Sequence, residues 1–425
     1  MDRRSFIKLA SVAGIGVVGP TAFGENNSLL GGTGRSYAPY DGLYYISVNA
    51  GGGWDPTSFC DPKGAAFEDE TNRMNNYLTE TIEEAGNIRY APVAGNAAFF
   101  QKYFDRTLVI NGIDMLTNGH DAGNRHTWSG RLTEGHPSMA AMLAGAYGPQ
   151  QPLAYLSSGG YSETSGLVAR TRTGDNVNAL TRLAYPNRMN VDSEDDLFHP
   201  ETASDLIRST HEEREAALLA SQGLPKIQGA MSTLFAARAG SNELKLLQQY
   251  LPETRSDNSL GAQGEIALAA YKAGIGVSAS LGVGGFDTHG NHDDNHFPSL
   301  QRLTEGLDVI MERAEELGIA DKILINVGSD FGRTPGYNDG NGKDHWPITS
   351  QLFMGSNIRG NTVLGSSDER HSAIGFNGAS LSSDEGSPHL QPGNITASVR
   401  KFVGLGDSEF AAQFPLEEEP FDLLG

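Results

Sequence analysis

A chain of 425 residues is long enough to bury a large core, and its 38% hydrophobic content with 53 glycines describes a loop-rich globular α/β protein. The formal net charge of −21 argues against a nucleic-acid backbone or an anionic membrane surface as the main partner. Cys60 is the single cysteine, so no intrachain disulfide is possible, and its acidic neighbour Asp61 argues against a reactive thiolate.

Asp2-Arg3-Arg4-Ser5-Phe6-Ile7-Lys8 is a twin-arginine export motif, followed by the apolar stretch Leu9 to Val18 and small residues from Thr21 to Gly24. The apolar stretch is too short for a comfortable membrane span. Residues 1–24 are therefore expected to be a signal peptide read by the twin-arginine export machinery. The mature chain, 25–425, would be periplasmic or secreted, with no transmembrane span. Residues 25–41 read as a Gly/Ser-rich leader.

Leu43 to Val48 is a strand, and the following Gly51-Gly52-Gly53-Trp54-Asp55 turns sharply and ends in an aspartate, with the hydroxyls of Thr57 and Ser58 close behind. A short helix near Ala97 to Tyr103 leads into the strand Leu108 to Ile110. Next comes a dense polar stretch, His120-Asp121 and Asn124-Arg125-His126-Thr127-Trp128-Ser129-Gly130, expected as a loop that walls a site. Pro137 to Tyr147 is a small-residue helix begun by proline.

From 151 to 252 periodicity weakens, and this stretch is expected as an insertion or cap carrying a helix at Thr210 to Ala220. A helix at Glu265 to Ala273 then feeds the strand Ile275 to Val283, which ends in Gly284-Gly285-Phe286-Asp287-Thr288-His289-Gly290. Leu300, Leu303, Leu307, Ile310, Met311, Ala314 and Leu317 mark one helical face, and the strand Ile323 to Val327 follows it. That strand ends in Gly328-Ser329-Asp330-Phe331-Gly332-Arg333-Thr334, and Lys343-Asp344-His345-Trp346 comes soon after. Gln351 to Met354 is another strand, Gly365 to Gly386 is loop, and Asn394 to Val403 is a closing helix with Asn394 as its N-cap.

Gly-Gly-aromatic-Asp occurs twice after a strand, and Gly-Ser-Asp once more. Strand, helix, strand predicts parallel pairing, and parallel sheets bind ligands beyond the carboxyl ends of their strands. Asp287, His289, Asp330 and Asp344-His345, with His292 as an extra candidate, could hold one or two ions. Carboxylate with imidazole suits zinc, manganese or iron, whereas carboxylates with water suit magnesium or calcium. Arg333 could fork onto an anionic oxygen.

The whole mature chain resembles the bacterial domain-of-unknown-function family numbered 1501, exported proteins grouped with the alkaline phosphatase and sulfatase superfamily. The matching residues are Gly51 to Asp55, His126 to Gly130, Gly284 to Gly290, Ser329 to Thr334, Gly342 to Pro347 and Pro388 to Ala397. The resemblance implies an α/β, alkaline-phosphatase-like three-layer sandwich, a mostly parallel sheet with helices on both faces. It implies metal ligands at Asp55, Asp287, His289, Asp330 and His345, and the residues themselves offer His120, His126, Asp344 and His292 as additional candidates. It also implies a Ser or Thr nucleophile; Thr127 and Ser129 are favoured over Thr57 and Ser58. One departure stands out, because the superfamily's Asp-His pair is Asp330-Phe331 here. The expectation is an exported metal-dependent hydrolase acting on a phosphate or sulfate ester, with Arg333 steadying the transition-state anion. The alternative is a catalytically silent secreted protein that binds a polyanion, glycan or partner.

Overall fold

A computed structural model describes residues 38–64, 73–172, 174, 181–182, 184–190, 193–225, 227–228, 231, 243–355 and 357–425. The twin-arginine motif and residues 25–37 of the leader lie outside these residues. No helix among the described residues is long and apolar enough to cross a membrane.

The larger of two compact units, 38–186 with 237–425, is built on an eight-stranded sheet. In chain order its strands are β1 (Tyr44–Gly51), β2 (Thr107–Asp114), β3 (Leu153–Ser157), β4 (Arg170–Thr171), β5 (Gly276–Gly284), β6 (Ile323–Ser329), β7 (Ile348–Gly355) and β8 (Thr362–Leu364). Across the sheet they run β8-β2-β7-β6-β1-β5-β3-β4, and only β7 is antiparallel to its neighbours. β1 sits between β5 and β6 and is parallel to both. The two strands joined by the long helix therefore share a direction without pairing directly.

Apolar strands alternate their side chains between two cores. Ile46, Val48 and Ala50 of β1 face a core shared with α1 (Asn96–Tyr103), α5 (Ser259–Lys272) and α6 (His292–Glu316). Tyr45 faces the opposite core, with α3 (Met139–Tyr147) and α7 (Pro392–Phe402). A sheet buried on both sides must be apolar nearly throughout, which is why the parallel strands read as continuous runs. This is the expected α/β layering, a mostly parallel sheet covered on both faces.

Several boundaries differ from those read in the sequence. His120–Ser129 is a helix, α2, rather than a loop. Gln391 rather than Asn394 caps α7, and Asn394 closes the capping box from the third helical position. Of the stretch expected as a cap, β3 and β4 are strands of the central sheet. A second compact unit includes Asn187–Ala236, and in it the helix α4 (Glu201–Ser221) carries an ion pair, Arg208 to Asp205 at 2.7 Å.

Candidate metal centre

Register brings the carboxyl ends of the three central strands level, with Gly51 opposite Gly284 and Ala50 opposite Ser329. Each chain then turns away and delivers its aspartate. At the end of β1, Gly52 has φ +119, and a β-carbon there would stand 2.5 Å from the Asp287 nitrogen. Only glycine lets β1 leave the sheet against the backbone that carries Asp287. The Gly52 N–H donates to Asp330 Oδ2 at 3.1 Å, which ties the ends of β1 and β6 together.

Three imidazoles converge on the Asp287 carboxylate. His345 Nε2 lies 3.1 Å and His289 Nε2 3.0 Å from Oδ1, while His120 Nε2 lies 3.4 Å from Oδ2. The other nitrogen of each ring faces an acceptor. His120 Nδ1 lies 2.8 Å from Asp330 Oδ2, His289 Nδ1 2.7 Å from Asp344 Oδ1, and His345 Nδ1 2.8 Å from the Asn118 carbonyl. A carbonyl or carboxylate accepts, so each Nδ1 serves as a donor and each ring is turned with its Nε2 edge toward the Asp287 carboxylate. His289 Nε2 and His345 Nε2 are 2.9 Å apart, and lone pairs that close repel unless a proton or a cation lies between them.

One ligand atom from each of His120, Asp287 and His345 falls within 4.8 Å of the others. Imidazoles oriented through their far nitrogen by carboxylates and carbonyls are the arrangement that metal-binding histidines adopt. Asp330 adds a buried Oδ1 with no hydrogen-bond partner among the described residues. The donor set thus fits a divalent ion.

The electrostatics agree with that geometry. Partial burial opposes ionisation of Asp287, but hydrogen bonds from Arg333 and His345 outweigh it and hold the carboxyl at about 2. Burial pushes Asp330 up, against the hydrogen bond from His120. His289 holds Asp344 below the usual carboxylate range.

Arg333 is fully buried and already committed. It donates from Nε to Gly53 O at 2.7 Å, from Nη1 to Lys343 O at 2.9 Å, and from Nη2 to Gly52 O and to Asp287 Oδ1, the latter at 2.7 Å. It fastens three site segments together rather than presenting a free fork to an anion.

Asp55 belongs to a separate, buried cluster. Its Oδ2 lies 2.6 Å from Lys343 Nζ and 3.2 Å from His292 Nε2, and accepts from Ser58 Oγ at 3.0 Å. Its Oδ1 accepts from the Thr57 nitrogen at 3.0 Å and from Thr57 Oγ1 at 2.6 Å. Burial alone would raise this carboxyl, but the Lys343 ammonium and His292 overcome it and drive the group well below its ordinary value. Burial keeps His292 and His296 neutral, and His296 Nε2 accepts from the Asp55 N–H at 3.1 Å. A lysine ammonium therefore stands as the counter-ion to the aspartate that was expected to hold metal.

The hydroxyls favoured as nucleophiles are also spent. Thr127 Oγ1 donates to Ser329 O at 2.8 Å and Ser129 Oγ to Arg125 O at 2.8 Å, while His126 Nδ1 lies 3.0 Å from Met115 O. The structure brings together His120, Asp287, His289, Asp330, Asp344 and His345, and leaves Asp55, His126, His292, Thr127 and Ser129 outside that group. Sequence reasoning missed the role of Lys343, although it sits directly before Asp344-His345.

This is an α/β protein with a carboxylate–imidazole centre at the carboxyl edge of a mostly parallel sheet. It belongs to the protein family of unknown function DUF1501, whose profile matches residues 45–382. No curated protein matches the chain. Among solved structures it is similar to the lipoteichoic acid synthase LtaP from Listeria monocytogenes, at 9% identity and a TM-score of 0.38, over 87% of this chain and 73% of that one. A protein in the alkaline phosphatase superfamily from Vibrio parahaemolyticus is similar at 8% identity and a TM-score of 0.38, over 87% and 68%. A 4S-sulf protein from a glycosaminoglycan-metabolism locus of Bacteroides thetaiotaomicron is similar at 10% identity and a TM-score of 0.36, over 87% and 74%.

Proposed function

We propose that the chain is an exported metal-dependent hydrolase of phosphate or sulfate esters. The observation that carries the reading is the convergence of three oriented Nε2 atoms on the half-exposed Asp287 carboxylate at the sheet edge. His120, Asp287 and His345 would hold a divalent ion, with His289 and Asp330 beside them. A bound ion of this kind polarises an ester oxygen and acidifies water. Arg333 keeps Asp287 ionised, and the Asp344 contact holds the His289 ring with its Nε2 toward Asp287.

Among the described residues no Ser or Thr hydroxyl hydrogen-bonds to these six side chains, which favours water over a side-chain nucleophile. The same observation favours a second reading, a secreted binding protein that kept the centre without turnover.

Metal analysis of protein purified without chelator, with hydrolysis of p-nitrophenyl phosphate and p-nitrophenyl sulfate, separates the two. The hydrolase reading expects one equivalent of metal, and both metal and turnover lost in Asp287→Asn. Stoichiometric metal with no turnover on any ester leaves the binder. Export is tested by fractionation, with the wild-type chain outside the cytoplasm and Arg3→Lys/Arg4→Lys retained within it.

A further inference from the structure

Asp287 and His289 form one side of an open cleft of about 550 Å³, within the range of small-molecule sites, whose other side is the start of α6 with Pro298, Ser299 and Arg302. Arg302 is exposed and pairs with no carboxylate among the described residues. Its Nη2 donates instead to Ser299 Oγ at 2.9 Å, and Ser299, only 1% exposed, donates to Gly285 O at 2.9 Å. Gly285 has φ +101, and a β-carbon there would stand 2.8 Å from Ser299 Oγ and 2.9 Å from Arg302 Nη2. The backbone that leads to Asp287 is thus bare where the guanidinium lies against it.

A chain of net charge −21 offers arginine many carboxylates, yet this one is held by a serine over a cleft that the metal centre shares. The carboxylates in the cleft are Asp287, already held by Arg333 and histidines, and the exposed Asp294. Arg333 is enclosed, so Arg302 is the guanidinium that an incoming anion meets.

We propose that this cleft is an oxyanion subsite in which Arg302, placed by Ser299 and the bare Gly285 backbone, takes a phosphate or sulfate group of the ligand. The assignment rests on the hydrolase reading for the identity of the anion, but not for the subsite itself. A guanidinium suits a tetrahedral oxyanion because its planar donors pair with two oxygens at once.

The test is calorimetric titration of inorganic phosphate, and separately of inorganic sulfate, into zinc-loaded and zinc-free full-length protein. In Arg302→Ala anion affinity is expected to fall about tenfold or more, and Arg302→Lys to recover part of it. Gly285→Ala should weaken the anion too, because it displaces the guanidinium while leaving every charge in place. The phosphate and sulfate arms decide which oxyanion the subsite prefers. Equal affinity in wild type and Arg302→Ala, or no anion binding by the wild type in either zinc state, overturns the subsite. Zinc affinity, titrated separately, reports on the His120–Asp287–His345 cluster. Arg302-dependent anion binding in a protein that takes neither zinc nor any other divalent ion would keep the subsite and remove the hydrolase reading.

Discussion

Lys343 and Asp330 show how single side chains here do work that their neighbours are named for. Lys343 is fully buried and meets Asp55 at 2.6 Å and Asn75 Oδ1 at 2.9 Å, so removing the ammonium leaves a buried carboxylate without its counter-charge. Breaking such a pair from one side costs about 3–5 kcal/mol. Lys343→Met should lose that much in urea denaturation, and adding Asp55→Asn should recover part of it, because the stranded charge goes too. Asp330 orients His120 through Nδ1 at 2.8 Å. Asp330→Ala should weaken zinc about 10- to 100-fold in a competitive chelator titration while His120, Asp287 and His345 all remain.

At the scale of elements, α2 is a helix where the local sequence predicts a loop. Apart from Ala122, the residues His120, Asp121, Gly123 and Asn124 are poor or middling helix formers, and a dense polar run after a strand reads as a loop. Contacts from elsewhere in the chain decide otherwise: Thr127 Oγ1 bonds Ser329 O, and Trp128 Nε1 donates to Asn49 Oδ1 at 2.9 Å. The close approach depends on Gly123, where a β-carbon would overlap the Asp330 carbonyl oxygen. Gly123→Ala should push α2 off the end of β6 and carry His120 away from Asp330. Zinc affinity should fall although no donor atom has been removed, and an unchanged affinity would show that α2 does not position the centre. The three central strands β1, β5 and β6, by contrast, are legible in the sequence, since burial on both faces appears there as apolar runs closed by glycine and aspartate, whereas the outer strands β3, β4 and β8 are not.

For the whole molecule, the paired carboxylates set the acid limit. Asp55 and Asp287 are both held below their unfolded value of 3.8, so their contribution to stability is complete above that pH and is lost as pH falls through the folded values, about 2 for Asp287. Asp330 is raised by burial and carries the opposite sign, its contribution fading as pH rises past its folded value. Urea midpoints measured downward from pH 5 should therefore decline below 3.8, and Asp287→Asn should flatten the part of the decline that ends near 2.

The sequence by itself determined the layered α/β architecture, the shared strand edge and most of the donors gathered there, because period, strand exits and donor chemistry are local properties. Which carboxylate faces outward and which is closed off by an ammonium was decided only in three dimensions. Asp55 and Asp287 follow the same Gly-Gly-aromatic turn, and nothing within either motif tells them apart. The difference comes from Lys343, which lies 288 positions from Asp55 in the chain and reaches it inside the fold. A buried charge is settled by whichever counter-charge the completed fold brings to it, and that pairing has no local signature.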